Sequence, residues 1–330
     1  MENFFAIRHV TRYRYSAPVR ESAMQLYMQP RSEGGQVLRS FQITTNPRAQ
    51  LFAYTDHLGN AVYHFDIPQE HSTLIIDVES TVEMMPRPAA PLEVSADNWT
   101  VLEGQRRMGG YFDMLLRQDM TAPTPLLDAF IAEQGLGLET IRSVADPMTA
   151  LRHLAKVLYT AFDYDQDETD VDSPIDHVLT TRRGVCQDFA HVMLSIVRSW
   201  GIPCRYVSGY LFHEKGSQER SVADASHAWV EAYLPSLGWI GFDPTNNVLA
   251  SERHIRVAIG CDYSDVPPTK GIYKGAAEGE LAVAVKVTPR QAPSHHEDFL
   301  RIVRPMRQIR TGAVDQFEEM QAQQQQQQQQ

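Results

Sequence analysis

Arg182-Arg183-Gly184-Val185-Cys186-Gln187-Asp188-Phe189-Ala190 opens the segment on which the fold turns. Arg-Arg-Gly reads as a turn. From there the apolar residues fall at Cys186, Phe189, Ala190, Met193, Ile196, Val197 and Trp200, the stripe of a helix facing a core. Gly201 ends that helix and Pro203 prevents its resumption. Cys186 therefore stands in the first turn, among unpaired backbone N–H groups at the positive end of the helix dipole. Both stabilise a thiolate, the nucleophilic form of cysteine. The same N–H groups can receive the oxyanion formed when a carbonyl is attacked. A free cysteine is more often a small buried hydrophobe, and this segment alone balances the two readings. Cys204 and Cys261 lack the setting: Cys204 opens a strand over 204–212, and Cys261 lies in a loop-like stretch with Asp262, Tyr263 and Ser264.

A base for such a thiol comes from farther along the chain. Asp224-Ala225-Ser226-His227-Ala228-Trp229-Val230-Glu231-Ala232-Tyr233-Leu234 alternates as a strand, with His227, Trp229, Glu231 and Tyr233 on one face. Pro235-Ser236-Leu237-Gly238 then leads into Trp239-Ile240-Gly241-Phe242-Asp243-Pro244-Thr245, the second strand of a hairpin. A five-residue loop, 234–238, sets Tyr233 against Trp239 and Glu231 against Gly241, with Asp243 on the His227 face and diagonal to it. A four-residue loop would send His227 to the far face, because a slip of one residue flips a strand. A Cys186–His227–Asp243 arrangement therefore requires an odd loop or a bulge. In it His227 pairs with the thiolate and protonates the leaving amine, while Asp243 holds the imidazole and stabilises its charged form.

Working outward, residues 1–88 read as an antiparallel sandwich-like β-domain. Phe5, Ile7, His9 and Thr11 alternate in a first strand. Ser16-Ala17-Pro18, Glu33-Gly34-Gly35, Asn46-Pro47 and His57-Leu58-Gly59-Asn60 mark turns between further runs. Residues 89–125 read as a Pro-bracketed connector with one or two short helices, such as 110–116. Residues 126–290 read as a catalytic core. Asp146-Pro147 starts a helix carrying Leu151, Leu154, Ala155, Leu158, Tyr159 and Phe162, and Ser173-Pro174 starts a shorter one. A last strand is expected over 280–288. The tail, 291–330, ends in eight glutamines, 323–330, and is expected to be disordered.

Composition narrows the class. A net charge of −11 argues against nucleic-acid binding, which needs a basic footprint. Hydrophobic residues make up 43% of the chain, so a sizeable core can be buried. No run of 18 apolar residues suggests a membrane span, and the first 15 residues lack the apolar core of a secretion signal. A cytoplasmic protein is expected. Three widely spaced cysteines do not make a disulfide framework. The pattern contains neither C-x-x-C nor H-E-x-x-H, and His213, His227, His254 and His295–His296 are scattered, so no metal or other cofactor is expected.

Three segments together resemble the transglutaminase-like superfamily: Arg183-Gly184-Val185-Cys186-Gln187-Asp188-Phe189-Ala190, Ser226-His227-Ala228-Trp229-Val230-Glu231, and Gly238-Trp239-Ile240-Gly241-Phe242-Asp243-Pro244-Thr245-Asn246. The N-terminal β-domain and the stretch from His254 to Pro268 resemble bacterial members of it, some described as cysteine proteases. The likeness covers about residues 1–290. It implies an α+β, papain-like core, with the nucleophile helix on an antiparallel sheet that carries His and Asp. It implies a thiol-dependent enzyme with Cys186, His227 and Asp243 as catalytic triad, acting on a protein or peptide substrate. Hydrolysis of peptide or isopeptide bonds leads, transamidation is the alternative, and a binding or scaffold protein with a relict triad is a third reading. The backbone N–H of Cys186 and the side chain of Tyr164 are the oxyanion candidates. Asp188 reads as a first-turn acid complementing the helix dipole. One departure stands out: Cys261 follows Gly260 where the resemblance leads one to expect Arg.

Overall fold

The computed structural model describes residues 4–86, 91, 93–166, 173–214, 219–223 and 225–290. The tail expected to be disordered, 291–330, lies outside them. The N-terminal strands are β1 (Phe4–Leu26), β2 (Gln36–Asn46), β3 (Phe52–Thr55), β4 (Ala61–Ile67) and β5 (His71–Met84). Their order is β2-β5-β1-β4-β3. Ser16-Ala17-Pro18 is not the turn its composition suggests. The chain runs through it as one strand, while the ladder to β5 slips between Arg14 and Val19, so Pro18 falls where the pairing is already broken. The first half of β1 pairs with β5 and the second half with β4. Phe65 and Ile67 of β4 share a core with Leu74, Ile76 and Val78 of β5. Phe5, Ile7, His9 and Thr11 are buried, as the alternation predicts.

The helical middle contains α1 (Asn98–Arg107), α2 (Pro125–Glu133), α3 (Leu138–Val144) and α4 (Pro147–Ala161). The expected helix over 110–116 is displaced. The α-helix lies upstream as α1, and only a single 3-10 turn forms at Asp113–Leu115. Gly109 at φ 76° and Tyr111 at φ 58° break the helical path between them. Asp146 caps α4 as expected, its carboxylate accepting from Met148 N at 2.9 Å and Thr149 N at 3.2 Å.

A short parallel pair, β6 (Asp163–Tyr164) and β7 (Arg183–Gly184), brackets α5 (Ile175–Thr181) and leads directly into α6 (Cys186–Ser199). The remaining strands are β8 (Cys204–Leu211), β9 (Ser226–Leu234), β10 (Gly238–Asp243), β11 (Val248–Leu249), β12 (His254–Gly260), β13 (Thr269–Lys274) and β14 (Gly279–Arg290). Five of them form an antiparallel sheet in the order β11-β10-β9-β8-β12. Helix α6 packs on it through Phe189, Ala190, Met193 and Val197 against Ala228, Val230, Ala232 and Phe242. Each large apolar side chain so buried contributes about 1.5–3 kcal/mol. Gln187 through Arg198 are all buried, so α6 is covered well beyond its apolar stripe. No helix among the described residues is long and apolar enough to cross a membrane.

Two features tie the N-terminal strands to this sheet. β13 and β14 return to pair with β1, so the last of the described strands complete the first layer. Edge strand β12 meets side-chain amides: Gln36 bonds both the N–H and the C=O of Arg256, and Asn60 both those of Ile259. These amides cover backbone groups that an open sheet edge would leave unpaired.

Candidate active site

The hairpin of β9 and β10 sets the site. Tyr233 pairs with Trp239 and Glu231 with Gly241, the register of the odd-loop alternative. Leu234 and Gly238 also pair, which shortens the connecting loop to 235–237 and keeps it odd. Leu237 N–H closes the turn on Leu234 C=O at 2.9 Å. His227 and Asp243 consequently share a face, and His227 Nε2 lies 2.8 Å from Asp243 Oδ2.

Asp243 is completely buried, and its carboxylate takes five hydrogen bonds. Thr245 N and Asn246 N donate to Oδ1 at 3.0 and 3.2 Å. His227 Nε2, Asn246 Nδ2 and His254 Nε2 converge on Oδ2 at 2.8, 2.8 and 3.2 Å. Burial opposes the charge on Asp243, but the two imidazoles overcome it and hold the carboxyl well below its ordinary range. Burial likewise opposes an imidazolium at His227. The charge and hydrogen bond of Asp243, followed by Cys186, reverse that and raise the pKa to about 10. The ring of His227 thus joins Asp243 through Nε2 and also interacts with the Cys186 side chain.

Cys186 reaches this ring from the first position of α6, where it is half-buried. The approach is built by Gly184 and Asp188. Asp188 Oδ2 accepts the Val185 N–H at 2.8 Å, so it caps the helix rather than only complementing its dipole. A Cβ on residue 184 would stand 2.7 Å from that same oxygen, which explains the glycine. Tyr164 pairs with Gly184 across β6 and β7, which brings it beside the turn that leads into Cys186. Its phenol is pushed up to about 12 by burial and then by the charge of Cys186, while bonds to the Gln166 side chain and the Val222 backbone act in the opposite sense. Burial pushes Cys204 and Cys261 each up to about 11.

Three participants were not singled out from sequence. Asn246 links Asp243 to the segment 219–223: it donates to Asp243 and accepts from Arg220 N and Ser221 N at 2.9 and 3.2 Å. Its place in the Asp243-Pro244-Thr245-Asn246 turn was the available signal. His254, set aside as scattered, is brought to Asp243 by the curl of the sheet. Gly209, the third, permits that curl. It pairs with His227 on one side and Arg256 on the other, and a Cβ there would collide with the Ile255 carbonyl and the Trp229 ring. His227, Asp243 and His254 bring metal-ligand atoms within 4.8 Å of one another. Hydrogen bonding already accounts for that convergence, since both Nε2 atoms are committed to the same carboxylate oxygen.

Comparison with known proteins identifies the family. Residues 134–244 match the transglutaminase-like superfamily, and residues 5–83 match the bacterial transglutaminase-like N-terminal region. An uncharacterized protein of Mycobacterium leprae is 35% identical over 281 residues, covering 85% of this chain and 96% of that one. The chain belongs to the transglutaminase-like superfamily. A solved structure from Cytophaga hutchinsonii, of a protein with a provisional cysteine-protease name, superposes with a TM-score of 0.65 at 17% identity. It covers 88% of this chain and 91% of its own, and it shows the shared fold. A protein-glutamine gamma-glutamyltransferase of Pseudomonas aeruginosa is 33% identical over 115 residues, 32% of this chain and 17% of that protein. The superfamily match contains Cys186, His227 and Asp243 but stops before His254.

Proposed function

We propose that this protein is a thiol-dependent acyl-transfer enzyme that hydrolyses peptide or isopeptide bonds of a protein or peptide substrate. The observation that carries the reading is the position of His227, bonded on one side to Cys186 and on the other to the fully buried Asp243. In the reaction the Cys186 sulfur attacks the amide carbon, and the carbonyl oxygen becomes an oxyanion facing the Cys186 backbone N–H. Tyr164, a neutral phenol beside the nucleophile turn, is the second donor. The C–N bond breaks as His227 gives its proton to the departing amine, which leaves a thioester on Cys186. Water then attacks the thioester, His227 takes the water proton, and the acid product leaves with the thiolate restored. We propose a cytoplasmic location, a compartment in which the three free thiols would stay reduced.

One observation favours a second reading. The matched segment of the Pseudomonas aeruginosa protein belongs to a glutamyltransferase, and an amine attacking the same thioester would complete transamidation with the same residues. Incubating the protein with a library of glutamine- and lysine-bearing peptides, with and without a labelled primary amine, separates the two. Hydrolysis is expected to give a free acid whose yield added amine barely changes. Incorporation of the amine in preference to acid would assign the transferase reaction. Neither product in any peptide, at enzyme concentrations that give full thiol labelling, would contradict both readings.

A further inference from the structure

Asp243 serves two histidines through one oxygen. His227 Nε2 and His254 Nε2 approach Oδ2 at 2.8 and 3.2 Å. The rings differ in their other contacts. The ring of His227 also meets Cys186. In His254, Nδ1 accepts the Ser251 N–H at 3.1 Å, so it carries no hydrogen. The ring hydrogen of His254 therefore sits on Nε2 and points at the carboxylate. One histidine exchanges a proton with the sulfur, and the other is held as a neutral N–H donor.

A fixed donor on a carboxylate oxygen restrains its rotation and draws off part of its charge. We propose that His254 is a positioning residue of the triad: its Nε2–H holds Asp243 in the orientation that meets His227 and limits how strongly the carboxylate binds the His227 proton. The proposal rests on the acyl-transfer reading above. The groups that face these rings are few. His254 meets Asp243, His227 and the more distant charge of Arg253, with the edge of the Trp229 ring packed at 5.3 Å. Arg253 is itself paired with Glu219. His227 meets Asp243, Cys186 and His254. Asp243 meets both histidines, the Thr245 and Asn246 N–H groups and the Asn246 amide. Burial, which disfavours a charged ring, agrees with the neutral form by lowering the His254 pKa.

The test compares His254→Gln, which keeps an N–H donor, with His254→Phe, which fills the space and donates nothing. Alkylation of Cys186 by iodoacetamide is measured against pH in both variants, in the unsubstituted protein and in His227→Ala, with thermal unfolding followed in parallel. The alkaline limb, where His227 loses its proton, is expected to move up by about half a pH unit or more in His254→Phe and to return to its original position in His254→Gln. An unmoved limb, or one moved equally in both variants, overturns the positioning role. In those cases a limb that still disappears in His227→Ala leaves the acyl-transfer reading standing, whereas a limb indifferent to His227→Ala overturns that reading itself. Nitrogen NMR of the histidine-labelled, unsubstituted protein keeps the proposal testable should His254→Phe not fold. His254 is expected to appear as the Nε2–H form alone from about pH 5 to about pH 9; an Nδ1–H form or an imidazolium in that range overturns it.

Discussion

Two carboxylates on one hairpin, Asp243 and Glu231, are both fully buried, yet they are neutralised in opposite ways. Glu231 is clamped by arginines. Arg205 Nε and NH2 reach Oε2 at 2.9 and 2.6 Å, and Arg256 Nε bonds the other oxygen. Arg205 also stacks on Trp239 at 4.4 Å and reaches Glu33 at 3.4 Å, which carries the cluster into the N-terminal layer. Guanidinium groups do not give up protons in the working range of a protein, so this cluster is a fixed fastening. Asp243 is surrounded instead by imidazoles, amides and backbone N–H groups, and one of the imidazoles ends on a half-buried sulfur. The same face of β9 therefore holds its neighbours together at Glu231 and carries, at His227, a ring able to gain and lose a proton. What separates the roles is the kind of partner, since the burial is equal.

That comparison breaks most sharply at Asp243. Asp243→Asn keeps the shape but removes the charge and leaves His227 in the wrong tautomer, so turnover is expected to fall about 10³- to 10⁴-fold, measured as kcat/KM on any peptide that is cleaved. Its stability cost should depend on pH. The Asp243 pKa is lowered in the folded state, so its contribution is present above the ordinary carboxylate range and is lost on acidification. The stability gap between the unsubstituted protein and Asp243→Asn should therefore narrow as pH falls. The His227 contribution has the opposite sign: it is present below the ordinary histidine pKa and lost as pH rises through about 10.

At the other carboxylate the expected effect is on folding and not on chemistry. Glu231→Ala leaves Arg205 and Arg256 with most of their surface buried and their main partner gone. A loss of about 3–5 kcal/mol in urea unfolding is expected, while the folded fraction should still alkylate at Cys186. Glu231→Gln should lose less, because it retains an acceptor. Loss of Cys186 reactivity in folded Glu231→Ala would mean that the two clusters act as one.

How much of this was legible in sequence follows from separation along the chain. The nucleophile helix and the hairpin register are local patterns, fixed by an apolar stripe, a Gly–Pro stop and the pairing of Tyr233 with Trp239. Those patterns put His227 and Asp243 on one face provided the loop is odd, as it is in the structure. His254 was not legible because β12 joins the sheet beside β8, beyond β9, and only the missing side chain at Gly209 lets the sheet close enough for contact. Periodicity does not encode such a curl. The long β1 departs from its local sequence pattern for a related reason. Ser16-Ala17-Pro18 has turn composition, but β-pairing on both sides of the slip carries the strand through it. The fastening at Glu33, Gln36 and Asn60 joins residues that are distant in sequence and of types common in turns, so nothing local distinguished them.

The central claim is that Cys186 becomes a covalent acyl carrier because His227 and Asp243 meet it. Mixing the protein with an activated acyl ester, quenching in acid and mapping the adduct by mass spectrometry tests this directly. A single acyl group on Cys186 is expected, strongly reduced in His227→Ala, with Cys204 and Cys261 unmodified because their thiols stay protonated. An adduct on another residue, or equal acylation of Cys186 when His227 is replaced, would contradict the account.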